Sequence, residues 1–147
     1  MGTDIVSWVE RRIDGEWQVY MGEFISPISS ESEPFSSRDY LLFDVLCNAR
    51  KDYLVESILS PSDDLPDNLT AESVDQLDYE YGRCVTLRQL REYDYDRPYK
   101  YIGHGILVGR EDSDTIAEEL GMPYFDVLFQ LDKLGSRDDV RVVFYFN

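Results

Sequence analysis

Residues 5–21, with the sequence IVSWVERRIDGEWQVYM, predict a β-hairpin. The side chains on each side of Asp14-Gly15 alternate as they do in a strand, and Asp-Gly favours the tight turn that joins two antiparallel strands. We therefore predict strands at about residues 3–12 and 16–22. The stretch from Val140 to Phe146 is strongly apolar, which predicts a central strand of the same sheet.

Helical spacing predicts a helix after the hairpin, at about residues 38–50. Its apolar face would pack Leu42, Val45 and Leu46 on the sheet. Ser-, Pro- and Glu-rich sequence precedes this helix at residues 26–37, which indicates a loop. The helix therefore belongs to a separate layer that covers one face of the sheet.

Capping residues predict the helices of the second half of the chain. Thr70 and Thr86 each suit the N-cap of a short helix. Gly121 predicts the end of a helix that starts at residue 114 or 115, and Pro123 predicts the start of the next helix. Residues 99–108 predict an extended segment that is interrupted by glycines.

Length and composition predict one folded domain over residues 1–147. The chain is long enough for a hydrophobic core. Its 43% hydrophobic and 14% aromatic residues exclude a disordered acidic tail. The predicted fold class is α+β, a single domain with an antiparallel sheet of three to five strands and helices packed on one face.

The net charge of −16 comes from two stretches that contain no Lys or Arg. The first acidic stretch, residues 52–82, carries −9, and the second acidic stretch, residues 111–132, carries −7. With 14 basic against 30 acidic residues, direct binding of nucleic acid or of an anionic membrane is disfavoured. Adaptation to a salty host would explain the total charge, but it would not explain the segregation.

The location expected from the sequence is the cytoplasm. No apolar run approaches the length of a membrane span, and the N-terminus lacks a signal pattern. Cys47 and Cys84 lie in apolar contexts, which predicts buried thiols in a reducing compartment.

The residues that could support catalysis lack the partners that catalysis needs. His104 is the only histidine, and no spacing typical of a zinc site is present. Asp63, Asp64 and Asp67 do not match the calcium-loop template. We therefore predict no catalytic residue, no metal site and no cofactor, and nothing in the sequence recommends an enzyme.

The composition of residues 77–101 is unusual, because six tyrosines alternate with five acidic residues. Tyrosine is common on binding surfaces, since it supplies a large contact area at a low entropy cost. Some of these tyrosines would pack in the core, and the others predict a surface that binds a partner or ligand. The candidate binding residues are Arg38, Tyr40, Arg50, Asp64, Asp67, Tyr79, Tyr81, Arg83, Tyr93 and Tyr95.

Several motifs in this order resemble a family of small uncharacterised phage and prophage proteins. Those proteins typically begin Met-Gly-Cys-Asp-Ile-His and carry an Arg-Asn-Tyr-x-Leu-Phe motif before a helix. The matching segments here are Met1-Gly2-Thr3-Asp4-Ile5-Val6, Gly15-Glu16-Trp17, Arg38-Asp39-Tyr40-Leu41-Leu42-Phe43 and Asp139-Val140-Arg141-Val142-Val143-Phe144-Tyr145-Phe146-Asn147. Thr3 and Val6 replace the family's Cys and His, so no role of those residues is carried over. The resemblance implies a fold and a viral origin.

Small phage accessory proteins commonly act on the host, so the resemblance gives the acidic stretches a functional context. We expect a non-enzymatic protein that binds and blocks a host protein, an anti-viral defence component, in the cytoplasm of the infected cell. In one form the acidic stretches mimic nucleic-acid charge. Homo-oligomerisation stays open.

The alternative is a protein that sequesters a nucleotide-like immune signal. Phosphate would bind to Arg38, Arg50 or Arg83, because guanidinium groups pair with phosphate oxygens. The base would stack on a tyrosine ring, for which Tyr40, Tyr79 and Tyr81 are the candidates.

Overall fold

The computed structural model describes residues 2–77, 81–102 and 115–147. Within these residues the chain forms a four-stranded antiparallel sheet, a two-stranded sheet and four helices. The prediction of a single α+β fold with an antiparallel sheet is confirmed. The elements are β1 (Ile5–Ile13), β2 (Glu16–Tyr20), α1 (Tyr40–Cys47), β3 (Tyr53–Leu54), α2 (Ala71–Gln76), β4 (Arg83–Thr86), α3 (Leu87–Glu92), β5 (Lys100–Tyr101), α4 (Ile116–Asp132) and β6 (Val140–Phe146).

The predicted hairpin and the predicted central strand form most of the large sheet. β1 and β2 pair in a register that places Ile13 opposite Glu16. The turn residues Asp14 (φ 51°) and Gly15 (φ 81°) both adopt the left-handed conformation that this tight turn requires. The strand order is β2-β1-β6-β4, so β6 is central, with β1 on one side and β4 on the other.

β4 was not predicted from the sequence. It has only four residues, and α3 follows it without a loop. The local signal at this point is helical, because Thr86 and Gln89 form a complete capping box at the start of α3. The pairing of β4 with β6 supplies the strand conformation.

The capping predictions agree with the structure. The Thr70 side chain accepts a hydrogen bond from the backbone N–H of Ser73 at the start of α2. Gly121 interrupts α4 with φ 70° and ψ −175°, and Pro123 lies near the start of the helical segment that follows. The helix predicted at 38–50 is shorter, because the chain leaves the helix at Asn48, which is left-handed at φ 60°.

The main core lies on one face of the large sheet. Helices α1, α3 and α4 contribute to it, and Leu42, Val45 and Leu46 are buried as predicted. Val9 and Phe144 extend this core from the sheet.

The short helix α2 differs from the expected arrangement, since it covers the opposite face. There Leu77 packs with Trp8 and Val143 in a smaller cluster. The sheet carries apolar side chains on this face too, since alternate residues of β1 and β6 point to it.

Candidate functional site

Three of the candidate residues, Arg38, Tyr40 and Arg50, come together beside the N-terminal segment. The Arg50 guanidinium lies 3.9 Å from the centroid of the Tyr40 ring. Each guanidinium already has a carboxylate partner: Arg38 Nε is 2.6 Å from Asp4 Oδ1, and Arg50 Nε is 2.7 Å from Asp52 Oδ2. An anionic ligand would have to displace these carboxylates.

Asp44 fixes the segment that carries Arg50. This aspartate is fully buried in α1, and its carboxylate accepts hydrogen bonds from four consecutive backbone N–H groups, those of residues 50–53, at 2.8–3.1 Å. The four donors match the lone pairs of an ionised carboxylate. Asp44 therefore determines where the chain runs after α1 and where Arg50 stands.

Tyr93 and Tyr95 lie at a different place and are tied to the protein itself. Tyr95 is buried, its hydroxyl donates to the Leu90 carbonyl at 2.6 Å, and it also contacts the hydroxyl of Tyr124. Burial raises the pKa of Tyr95 above its ordinary value. Tyr95 thus belongs to the core instead of a partner-facing surface. Tyr93 is half-buried and donates to the carbonyl oxygen of Glu56 at 2.5 Å.

The remaining described candidates are Tyr81, Arg83, Asp64 and Asp67, and most of them are exposed. Tyr81 is 97% exposed, and Arg83 donates to the carbonyl of Ser60 at 2.7 Å. Asp64 and Asp67 are exposed in the loop before α2. Tyr79 lies outside the described residues.

Metal-ligating side chains do not gather into a centre in the part of the chain that the structure describes. No group of three or more His, Cys, Asp and Glu side chains there could hold a metal ion. His104 falls outside that part. No described helix is long and apolar enough to cross a membrane. The two cysteines are free and half-buried, and burial raises the pKa of the Cys47 thiol to about 11 and that of Cys84 to about 12.

A groove of about 700 Å³, which sequence reasoning missed, opens between the hairpin, the loop around residue 32 and α2. We call it the Trp groove. Its apolar side chains come from the hairpin, its acidic side chains come from the loop and from α2, and none of its lining residues is Lys or Arg. The lining of the groove includes Trp8, Trp17, Val19, Met21, Glu31, Glu33 and Glu72.

A buried ion pair lies next to the Trp groove. Arg141 Nη2 lies 2.7 Å from Glu10 Oε1, and both side chains are almost completely buried. The other carboxylate oxygen of Glu10 accepts hydrogen bonds from Ser73 Oγ at 2.6 Å and from Thr70 N at 2.9 Å. The ion pair therefore links two central strands of the sheet to α2.

The same network positions both tryptophans of the groove. Trp8 donates its indole N–H to Ser73 Oγ at 2.7 Å. Arg141 stacks on Trp17, with 3.7 Å between its guanidinium carbon and the ring centroid. The tryptophans are thus held by hydrogen bonding and by a cation–π contact, which pre-organises the groove.

The pKa of Glu10 gives a test of this network. Burial alone would raise it, but the hydrogen bonds from Ser73, Thr70 and Arg141 together outweigh burial and hold the pKa below its ordinary value of 4.5. A carboxyl whose pKa is depressed on folding stabilises the protein above its ordinary pKa, and that contribution is lost as the pH falls through the folded value.

We therefore expect the Glu10 contribution to the free energy of unfolding to be complete at neutral pH and to decline below pH 4.5. Asp4 and Asp139, whose pKa values are lowered by Arg38 and by Ser136 with Arg12, add to this decline. An NMR titration of the Glu10 carboxyl carbon measures the effect directly. A midpoint above 4.5 would contradict the described network.

Comparison with known proteins adds no assignment. No protein-family model, curated protein or solved structure matches this chain. The site is therefore interpreted from its own geometry. One sequence signal could have indicated the groove: Trp8 and Glu10 share a strand face, and their partners across the turn include Val19.

Proposed function

We propose that this protein is a non-enzymatic binding protein whose acidic surface docks on a basic surface of a partner protein. One observation carries the proposal: the described arginines are mostly neutralised within the molecule, while most described carboxylates of the two acidic stretches are exposed and form no ion pair. The resemblance to phage proteins supports a host partner and a blocking role, directed at anti-viral defence.

The arginines are engaged by carboxylates. Seven of the ten described arginines form ion pairs, among them Arg12 with Asp139 and Arg91 with Asp132. A further arginine, Arg83, is bound to a backbone carbonyl. Few cations therefore stay available to offset the field of the acidic surface.

The carboxylates of the acidic stretches are arranged differently. Eight of them are exposed and form no ion pair with a described residue. They lie in the loop before α2, on α2 and on α4: Asp63, Asp64, Asp67, Glu72, Asp75, Glu118, Glu119 and Asp126. Uncompensated surface charge of one sign speeds association with a surface of opposite sign and makes it dependent on salt.

A salt-dependent capture experiment tests the proposal. A tagged protein is incubated with host lysate at about 50 mM and 500 mM salt, a range over which exposed charges become strongly screened. We expect a specific basic protein to be retained at low salt. For that partner we expect an association rate at least about tenfold lower at high salt, measured with purified components.

A charge-neutralised variant assigns the effect to this surface. The variant D64N/D67N/E118Q/E119Q should slow association about as much as high salt does. The matched control D14N/E16Q/E23Q/D96N removes four exposed acids outside both acidic stretches and should leave the rate nearly unchanged. A complex that withstands a tenfold increase in salt, or one that responds equally to both variants, would contradict the proposal.

A second candidate, sequestration of a nucleotide-like signal, is favoured by the convergence of Arg38, Tyr40 and Arg50. Against it, Asp4 and Asp52 occupy the guanidiniums, and Arg50 covers a face of the Tyr40 ring. Calorimetric titration with AMP, ATP and cyclic di-AMP distinguishes the two functions. If the parent protein gives binding heat with one of these nucleotides and R50M does not, sequestration is favoured. If the parent protein gives no heat with any of them, protein binding is favoured.

A further inference from the structure

We infer that the Trp groove and the free edge of β2 bind an extended, arginine- or lysine-bearing segment of the partner as an added strand. The inference rests on the proposed function, because it specifies how a basic partner is held. It adds, for one segment of that partner, a binding place outside the loop at residues 63–67 and outside α4.

The backbone of β2 offers an unpaired edge. The N–H of Arg12 bonds to Asp139, on the β6 side of β1, and the N–H of Ser7 bonds to Glu33, on the other side. Main-chain groups alternate along a strand, so the odd-numbered residues of β1 face β2. Their partners there are Glu16, Gln18 and Tyr20.

It follows that the main-chain groups of Trp17 and Val19 point away from β1. β2 is the outermost strand of the sheet, and no described residue bonds to these outward groups. Such an edge is a template for another strand. A peptide that pairs there forms backbone hydrogen bonds without any change in the fold.

The side chains beside this edge select the chemistry of the peptide. The side chains of Trp17 and Val19 line the Trp groove, as does Met21, which is 77% exposed. Alternate side chains of an added strand would therefore enter the groove. Its volume of about 700 Å³ is within the usual range of ligand sites.

Charge favours long basic side chains in these positions. Glu31, Glu33 and Glu72 line the groove, and its lining residues include no Lys or Arg. An arginine or lysine can lay its aliphatic stem on Met21 and Trp17 and extend its charge to the carboxylates. Since a second copy of this chain would bring acidic rims together, the geometry favours a basic partner over self-association.

The fluorescence of the tryptophans can report binding at the groove itself. The chain has two, Trp8 and Trp17, and both line the groove. We expect an alternating Arg-Val octapeptide to change the intrinsic fluorescence in a saturable manner. A Glu-Val octapeptide of equal length should cause no change. An Arg-Val octapeptide that is N-methylated at every residue, which keeps the charge but removes the donors, should bind at least about tenfold more weakly.

Protein variants complete the test. E31Q/E72Q removes two exposed charges of the groove. It should lower the affinity for the Arg-Val octapeptide about fivefold or more. D64N/D67N removes two exposed charges outside the groove and should leave its affinity nearly unchanged. Urea midpoints verify that both variants fold as the parent protein does.

The inference is overturned if the octapeptide leaves the fluorescence unchanged, if N-methylation has no effect, or if both charge variants weaken binding equally. It is also overturned if the protein dimerises through the β2 edge. The proposed function has a separate outcome: a basic partner that D64N/D67N/E118Q/E119Q releases and E31Q/E72Q retains would support that function and refute the groove.

Discussion

Replacement of Arg141 by methionine should lower the free energy of unfolding by about 3–5 kcal/mol. Glu10 is completely buried, and it would lose its charge partner and one of its hydrogen-bond donors in the variant. A buried carboxylate without a counter-charge carries a desolvation penalty that the remaining bonds from Ser73 and Thr70 do not offset. Urea denaturation at pH 7 measures the change.

Two controls separate this effect from the loss of a generic ion pair. R38M removes the exposed Arg38–Asp4 pair, whose side chains are about half exposed, and should destabilise the protein much less than R141M does. The double variant E10M/R141M removes both buried charges and should be more stable than R141M, because no orphaned carboxylate remains. If R141M costs as little as R38M, the ion pair does not stabilise the fold.

The same variant has a consequence for the Trp groove. Arg141 supports the ring of Trp17, and Glu10 orients the hydroxyl of Ser73 that holds Trp8. R141M should therefore change the tryptophan emission spectrum of the folded protein, whereas R38M should not. An unchanged spectrum would mean that the tryptophans are positioned without the ion pair.

Replacement of Asp44 by asparagine should lower the free energy of unfolding by about 3 kcal/mol, since several charge-assisted hydrogen bonds become weaker or are lost. The side chains are nearly equal in size, but one carboxylate oxygen becomes an NH₂ group. That group would face backbone donors, either those of residues 50 and 51 or those of residues 52 and 53. Thermal and urea unfolding measure the loss.

The location of this effect distinguishes it from a general loss of stability. In D44N, amide hydrogen exchange should accelerate first at residues 50–53, because their N–H groups lose a shared acceptor. The exposed substitution D64N should change stability by no more than about 0.5 kcal/mol. Exchange that is unchanged at residues 50–53 would contradict the assigned role of Asp44.

Most of the regular structure could be predicted from local sequence. The alternation around Asp14-Gly15 and the apolar run in β6 each indicate a strand within a short window. Thr70, Thr86 and Gly121 mark helix ends because caps depend on residues only a few positions away. β4 was not predicted, since its conformation depends on pairing with residues more than fifty positions later in the chain.

The candidate site was harder to predict because composition does not specify orientation. Tyr93 and Tyr95 have nearly the same local sequence, yet Tyr95 is buried against Tyr124. Arg38, Tyr40 and Arg50 do converge, but the carboxylates of Asp4 and Asp52 already engage the arginines. Whether a charged side chain is free to bind depends on its spatial neighbours.

The sequence by itself determined the α+β class, the hairpin, the helix caps and the segregation of charge into two stretches, because these are local or additive properties. Only the tertiary structure decided that Glu10 meets Arg141, 131 residues away, and that Asp44 collects the four backbone donors. It also decided that two tryptophans share one groove. Such contacts join residues distant in the chain, and packing fixes them when the sheet and helices close on one another.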